Sequence, residues 1–212
     1  MLPDRRKRLI VVAGPPCSGK SCLAEILAKH TGIRHLEMDA IRARLMPESR
    51  HAKPDRDIAY RTMHLAAEML LGAGHSVILD ATYMPVEHRL ELEGIAEFTG
   101  SPIFIIECRV SPETAIVRFG MRAQHAAVDL TPSRVHWLSA HYPFYGKGFI
   151  HNSDLQREPD LAGIRAYLIE GTPVPDCKWS ESACGAVEPC IEGASEPWPA
   201  QPVGASLETG HR

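Results

Sequence analysis

The sequence predicts an α/β fold, a three-layer α/β/α sandwich with a central, mainly parallel five-stranded sheet. Short apolar runs alternate with helix-like stretches, and this alternation is typical of a parallel sheet covered on both faces. The first run, Arg8–Ala13, is apolar after its arginine, as in a strand buried on both sides. Composition agrees, because 44% of the 212 residues are hydrophobic and 23% are charged, as in ordinary globular proteins.

Apolar residues at helical spacing predict the helices, and turn residues mark where they end. Ile58–Leu71 carries Ala59, Met63 and Ala66 on one face and stops before Gly72. Ser111 and the proline after it form a helix start. The predicted strands are Arg8–Ala13, Ile33–Met38, Ser76–Leu79, Pro102–Val110 and Phe149–Ile150. The predicted helices are Ser21–His30, Asp39–Leu45, Ile58–Leu71, Val86–Phe98, Ser111 to about Ala126, Ser133–Ala140 and Leu161–Ile169, with Pro47–Asp57 as a loop.

The chain is expected to divide into a domain at residues 1–172 and a flexible tail at 173–212. The tail holds six prolines, six acidic residues and two basic ones, without an apolar period. The remaining 21 basic and 20 acidic residues give the domain a net charge of +1. This near-neutral domain argues against a protein that coats nucleic acid by charge alone.

Localisation is predicted to be cytoplasmic, with the N-terminus unprocessed and no membrane association. The basic residues Arg5–Arg8 precede an apolar run of only Leu9–Ala13, whereas a secretory signal needs roughly 7–15 apolar residues. No stretch approaches the ~18 apolar residues that span a bilayer. The six cysteines form no CxxC pair, and no histidine is given a catalytic role.

A phosphate-binding motif is the strongest signal in the chain. Residues 14–21, GPPCSGKS, match G-x-x-x-x-G-K-[ST], the Walker A motif, between a predicted strand and a predicted helix. Backbone N–H groups of such a loop surround phosphate, the lysine approaches the β- and γ-phosphates and the serine hydroxyl faces Mg²⁺. ATP and Mg²⁺ are therefore the expected cofactors. The predicted nucleotide-binding residues are Gly14, Pro15, Pro16, Cys17, Ser18, Gly19, Lys20, Ser21 and Cys22.

Two carboxylates follow predicted strands and so should lie at the same edge of the sheet. Asp80 ends the apolar run VILD, as in a Walker B strand, and is predicted with Ser21 to hold the metal or its water. Asp39 follows the second strand, where it could accept the proton of an attacking hydroxyl or merely cap the next helix. Arg42, one turn later, could hold the acceptor or the transferred phosphoryl group.

The segments GPPCSGKS, MDAIR, VILDAT and ECRVSPE resemble a group of small P-loop kinases, and the resemblance runs from about Arg8 to His125. The group includes polynucleotide 5′-hydroxyl kinases, chloramphenicol-phosphotransferase-like enzymes and zeta-toxin-like kinases, often described as AAA-type ATP-binding proteins. The resemblance implies a P-loop NTPase fold and a kinase activity. It assigns nucleotide and Mg²⁺ binding to Lys20 and Ser21, and acceptor activation to Asp39. It also matches Arg42, Asp80 and two lid arginines, Arg118 and Arg122.

The chain departs from this pattern at a few positions. Cys17 and Cys22 replace residues more usual in the loop, although neither change removes a backbone donor. The stretch 124–129, QHAAVD, has one acidic residue where an acidic stretch often follows the second lid arginine, so Arg134 could replace Arg118 or Arg122. The alternative for these two arginines is a solvated helix face with surface ion pairs.

The sequence therefore predicts transfer of the γ-phosphoryl group of ATP–Mg²⁺ to a hydroxyl acceptor, catalysed by Lys20, Asp39, Arg42, Arg118 and Arg122. A small-molecule alcohol is the first choice of acceptor, because the domain is near neutral and shows no strip of basic and aromatic residues. A nucleic acid 5′-hydroxyl is the second. A plain ATPase and a nucleotide-dependent binding module are the other classes, and the D-x-x-R pair favours transfer over a switch.

Overall fold

A computed structural model describes residues 6–48, 53–121, 130–156 and 158–170. Strands and helices alternate through the described residues, with two helices in succession after β2 and again after β4. The strands are β1 (Leu9–Ala13), β2 (Arg34–Glu37), β3 (Val77–Ala81), β4 (Ile103–Arg109) and β5 (Phe149–Asn152). The helices are α1 (Lys20–Thr31), α2 (Met38–Leu45), α3 (Lys53–Gly72), α4 (Val86–Thr99), α5 (Pro112–Met121), α6 (Pro132–Ala140) and α7 (Leu161–Glu170).

The five strands form one parallel sheet in the order β2-β3-β1-β4-β5. Strand β1 lies at its centre, and its Val12 is in register with Asp80 of β3. Asp80 is in turn in register with Glu37 of β2, while Ala13 pairs with Glu107 of β4. Because parallel strands align their carboxyl ends, these acidic side chains lie along one edge of the sheet.

Helices cover both faces of the sheet, which confirms the predicted three-layer arrangement. Ile10 and Val12 of β1 belong to a buried cluster that includes residues of α1 and α7. The alternate residues Leu9 and Val11 point to the other face, since side chains alternate along a strand, and they are buried as completely. Burial on both sides explains why this strand is an uninterrupted apolar run.

The predicted loop at Pro47–Asp57 is wrong in its last part, because α3 begins at Lys53. Asp55 lies in the first turn, where the helix dipole favours a carboxylate, and Lys53 Nζ lies 3.7 Å from Asp57 Oδ2 one turn later. A charged first turn exposed to solvent has no apolar period, so it resembles a loop in sequence.

Other predicted boundaries agree with the structure to within a few residues. The predicted end of α5 near residue 126 and the predicted tail at 173–212 lie outside the described residues. Within the described ranges, no helix is both long and apolar enough to span a membrane.

Candidate functional site

The loop between β1 and α1 has the backbone that the motif requires. Gly19, at the N-cap position of α1, has a φ of +86°, which glycine adopts without strain. Gly14 admits no side chain, because a Cβ there would lie 2.5 Å from the carbonyl oxygen of Cys108 and 2.8 Å from Ser18 Oγ. The Ser18 hydroxyl is buried without a hydrogen-bond partner. Lys20 begins α1, whose free N–H groups therefore face the loop.

Cys17 is strained and buried within this loop. Its φ is +62°, which is uncommon for a residue with a side chain. The side chain packs in an apolar cluster with Ala115 and Phe119 of α5 and Val135 of α6. The cysteine at position 17, which departs from the usual residue of the motif, therefore packs the phosphate loop against α5 and α6. The local sequence does not indicate this contact.

Arg118 of α5 reaches the loop directly. Its Nη1 donates to the carbonyl oxygen of Cys17 at 3.3 Å and to Ser153 Oγ at 2.8 Å, and its Nη2 donates to the Ser153 carbonyl at 2.8 Å. This half-buried arginine is not part of a solvated ion-pair face. Arg134 lies exposed on α6, with its guanidinium 5.2 Å from the ring centroid of Trp137, and Arg122 lies outside the described residues.

A pocket of about 330 Å³ adjoins the loop. Its lining includes Cys17, Cys22, Arg118, Met121 and His151. This volume lies within the range of small-molecule sites, about 300–1,000 Å³. The mixture of apolar side chains and a guanidinium suits a planar group next to an anion. Ser153, Gln156 and Pro159, which follow β5, also line the pocket. Sequence reasoning did not predict their contribution, because they lie more than 100 residues from the motif.

Asp80 is buried, 1% exposed, and neither of its carboxylate oxygens has a hydrogen-bond partner. His35 Nε2 lies 3.5 Å from Asp80 Oδ2 without forming a hydrogen bond. A buried carboxylate without partners is unfavourable unless a cation compensates it. The buried carboxylate of Asp80 is therefore suited to bind a positive ion.

The donor set at this edge suits Mg²⁺. No group of three or more His, Cys, Asp or Glu residues in the described ranges could hold a metal by itself. Mg²⁺ does not require such a group, since it usually keeps several waters and binds through one or two protein oxygens plus substrate phosphates. Asp80, with the hydroxyl of Ser21 in the first turn of α1, would supply those oxygens.

The pKa of Glu37 depends on the charged groups that surround it at the carboxyl end of the sheet. Its half-buried carboxyl has a raised pKa, mainly because burial disfavours the charged form and then because Asp80 and Asp39 are close. His35 and Lys20 oppose the increase. The predicted Lys20, Asp39 and Asp80 therefore share one electrostatic environment. His35 and Glu37 were not predicted, although they are two residues apart in the strand RHLE and so lie on the same face of the sheet.

Asp39 is not the helix cap considered above, because α2 begins at Met38 and Glu37 occupies the N-cap position without a side-chain cap bond. Asp39 lies in the first turn, where the helix dipole stabilises its charge. Its side chain is 30% exposed, and Arg42 Nε lies 3.6 Å from its Oδ1. A buried guanidinium thus lies next to an accessible carboxylate in the first turn of α2.

Comparison with known proteins identifies a family and a fold for the chain. The sequence model of a family described as AAA domain matches residues 9–143. An uncharacterized protein of Mycobacterium tuberculosis is 30% identical over an alignment of 128 residues, which covers 55% of this chain and 26% of the relative. Mycobacterium bovis has an uncharacterized protein with the same values. The chain thus spans about a quarter of the length of the curated relatives it matches.

Solved structures with the same fold include several kinases. A candidate kinase from Chloroflexus aurantiacus superposes with a TM-score of 0.66 at 18% identity, covering 78% of this chain and 98% of that chain. The APS kinase of Mycobacterium tuberculosis, in complex with AMPPNP and APS, superposes with a TM-score of 0.58 at 21% identity, covering 78% of this chain and 96% of that chain. A gluconokinase from Sinorhizobium meliloti superposes with a TM-score of 0.52 at 21% identity, covering 79% of this chain and 93% of that chain. The predicted P-loop kinase fold is confirmed.

Proposed function

Because the chain belongs to the AAA domain family and has the fold of P-loop kinases, we propose that it transfers the γ-phosphoryl group of ATP to a hydroxyl acceptor. The observation that carries this proposal is the meeting of Lys20, Asp39 and Asp80 around the carboxyl of Glu37. A lysine for phosphate, a carboxylate for a metal and a second carboxylate for a proton are the parts that transfer requires.

Each residue then has a defined role. The loop amides and Lys20 hold the β- and γ-phosphates, and Arg118 adds positive charge next to the loop. Ser21 and Asp80 would hold Mg²⁺, which neutralises charge on the phosphate oxygens when bound. Asp39, oriented by Arg42, takes the proton of the acceptor hydroxyl while the oxygen of that hydroxyl bonds to the γ-phosphorus. The bond from that phosphorus to the β–γ bridging oxygen breaks, and ADP leaves.

The pocket beside Arg118 is the proposed position of the nucleoside. It opens next to Cys17, Ser18 and Gly19 of the loop, so a nucleotide with its phosphates in the loop would place its base there. The APS kinase structure, which has the same fold, is a complex with AMPPNP and APS, so this fold is known with a nucleotide of that kind bound.

For the acceptor, we retain a small-molecule alcohol, as the neutral domain suggests, and a nucleic acid 5′-hydroxyl as a second candidate. One observation favours the second. Residues 130–153 contain no aspartate or glutamate but five aromatic residues, and Trp137 of α6, 44% exposed, stacks on His141 at 4.8 Å. A structure of an RNA repair complex superposes with a TM-score of 0.55 at 17% identity, covering 64% of this chain and 43% of that chain. Activity that falls steeply with salt would favour nucleic acid.

The test is a transfer screen with γ-labelled ATP, Mg²⁺ and pooled hydroxyl acceptors, including a 5′-hydroxyl oligonucleotide. Wild type should label one acceptor class, and Asp39→Ala should bind ATP but label none. Glu48→Ala, which removes an exposed carboxylate beyond α2, is the matched control and should behave as wild type. Labelled phosphate without a labelled acceptor would indicate an ATPase. ATP binding without turnover would indicate a nucleotide-dependent binding module.

A further inference from the structure

The turn after β3 has an unusual backbone that other residues hold in place. Tyr83, three residues after Asp80, is fully buried and has a φ of +49°, a conformation that disfavours side chains. Its N–H donates to the Tyr60 hydroxyl at 3.0 Å, and its carbonyl accepts from Arg89 Nε at 2.6 Å. The Tyr60 oxygen also lies 3.2 Å from Thr82 Oγ1. Helices α3 and α4 therefore both bind this turn.

A chain of polar contacts continues behind the turn. His64 Nε2 lies 3.2 Å from the Tyr83 hydroxyl, and His64 Nδ1 lies 2.7 Å from Glu91 Oε2. His88 Nδ1 lies 3.3 Å from the same glutamate oxygen, and His88 Nε2 lies 3.4 Å from Asp57 Oδ1. Both imidazole rings are buried, while the two carboxylates lie toward the surface.

The contacts determine where the protons lie. An ionised carboxylate only accepts, so both Nδ1 atoms that face Glu91 must carry hydrogen. A neutral His64 then accepts at Nε2 from the Tyr83 hydroxyl, and burial, which lowers the pKa of His64, favours this neutral form. Both nitrogens of His88 face carboxylate oxygens, of Glu91 and of Asp57. Its ring stacks on Tyr60 with the centroids 3.8 Å apart.

The network also lies close to the proposed acceptor side. Burial raises the pKa of Tyr60 to about 12, with the nearby Asp39 adding to the increase, so Tyr60 stays a neutral phenol. Its proton is available to Thr82 Oγ1, because its oxygen already accepts from the Tyr83 N–H. Thr82 directly follows Ala81, the last residue of β3, and so lies two residues after Asp80 at the carboxyl end of that strand.

We propose that Tyr60 is a positioning residue that, with His64, Glu91 and His88 behind it, holds the turn at Thr82–Tyr83 beside Asp80 for phosphoryl transfer. This proposal rests on the proposed function and adds to it a set of residues that touch neither nucleotide nor acceptor. A turn in a strained conformation keeps its place only while its supporting contacts persist. Loss of the Tyr60 hydroxyl should therefore loosen the turn without changing the phosphate loop.

The test compares Tyr60→Phe with Tyr167→Phe. The control removes the same atom from a phenol that accepts from Ile105 N–H at 3.2 Å, away from the turn. Hydrogen exchange of the Tyr83 amide should accelerate at least about tenfold in Tyr60→Phe only. The kcat for labelled ATP with the pooled acceptors should fall about tenfold, with KM for ATP within about twofold of wild type.

Each outcome decides the question. Unchanged exchange at Tyr83, or faster exchange with the kcat of the control, would overturn the positioning role while the kinase proposal stands. A wild type that turns over no ATP would overturn the proposed function and the positioning role with it. The proton assignment is tested separately by ¹⁵N spectra of the histidine rings, with His64→Gln and His88→Gln to identify the signals. A neutral Nδ1–H form is expected for His64 at neutral pH, and a positively charged His64 ring would contradict the assignment.

Discussion

Arg118 donates a hydrogen bond across 101 positions of sequence to the carbonyl oxygen of Cys17, so α5 directly supports the phosphate loop. Arg118→Ala should therefore weaken ATP binding about tenfold, since it removes both a charge and a donor that orders the loop. Arg134→Ala should leave binding unchanged, because Arg134 is exposed on α6 beside Trp137. Titration of both variants with a fluorescent ATP analogue measures the difference.

If Arg134→Ala weakened ATP binding and Arg118→Ala did not, Arg134 would take the role assigned here to Arg118, which is the alternative that the sequence left open. Arg118→Lys refines the result, because lysine keeps the charge but cannot bind Cys17 and both oxygens of Ser153 with one planar group. Its affinity for ATP should lie between those of wild type and Arg118→Ala.

Lys20→Ala should abolish ATP turnover, with a loss of at least about a hundredfold in kcat, because the lysine compensates charge that develops on the transferred phosphoryl group. Lys29→Ala is the matched control on the same helix. Lys29 is largely exposed, 3.6 Å from Glu25, and its removal should not alter turnover. Release of labelled phosphate or labelled product measures both variants, and turnover by Lys20→Ala near the wild-type rate would contradict the assigned role.

Gly14→Ala should disrupt the nucleotide site and lower the melting temperature, because the new Cβ would meet the backbone oxygen of Cys108 at 2.5 Å. Gly94→Ala is the contrasting change. Gly94 lies within α4 with no atom within 4 Å of the added methyl group, so alanine should stabilise the helix by about 0.5–1 kcal/mol. Thermal unfolding of the two variants tests this prediction, and equal melting temperatures would contradict the close packing at Gly14.

The sheet and the phosphate loop could be predicted because their signals are local. The apolar run of β1 and the motif that follows it each occupy a few consecutive residues, and the parallel order follows from the alternation of strands and helices. The meeting of Asp39 and Asp80 could also be predicted, since both follow strands of a parallel sheet and carboxyl ends share an edge.

Contacts between distant segments could not be predicted. The partners of Arg118 at Cys17 and Ser153 depend on how α5 packs, which no periodicity in its own sequence encodes. Tyr60 and Tyr83 show the same limit, because each is an ordinary apolar position in sequence and only the fold brings a hydroxyl to a strained amide. The first turn of α3 was missed because its exposed charges hide the helical period.

Cysteine modification offers a test of the nucleotide pocket that needs no catalysis. Cys22 is exposed and lines the pocket, whereas Cys108 is buried and burial raises its pKa to about 12. Iodoacetamide at pH 8 should therefore alkylate Cys22 and spare Cys108, because only a thiolate reacts and Cys108 stays protonated. ATP with Mg²⁺ should slow the reaction of Cys22 at least about fivefold by covering it.

Peptide mapping by mass spectrometry separates Cys22 from the other five cysteines, and Lys20→Ala provides the control that should lose the protection by ATP. Protection of Cys22 in wild type but not in this variant would locate the nucleoside beside Cys22 and Arg118. Unchanged alkylation of Cys22 under conditions where ATP is bound would instead require that the base lies outside this pocket, because an occupied pocket of about 330 Å³ leaves its lining thiol little access to reagent.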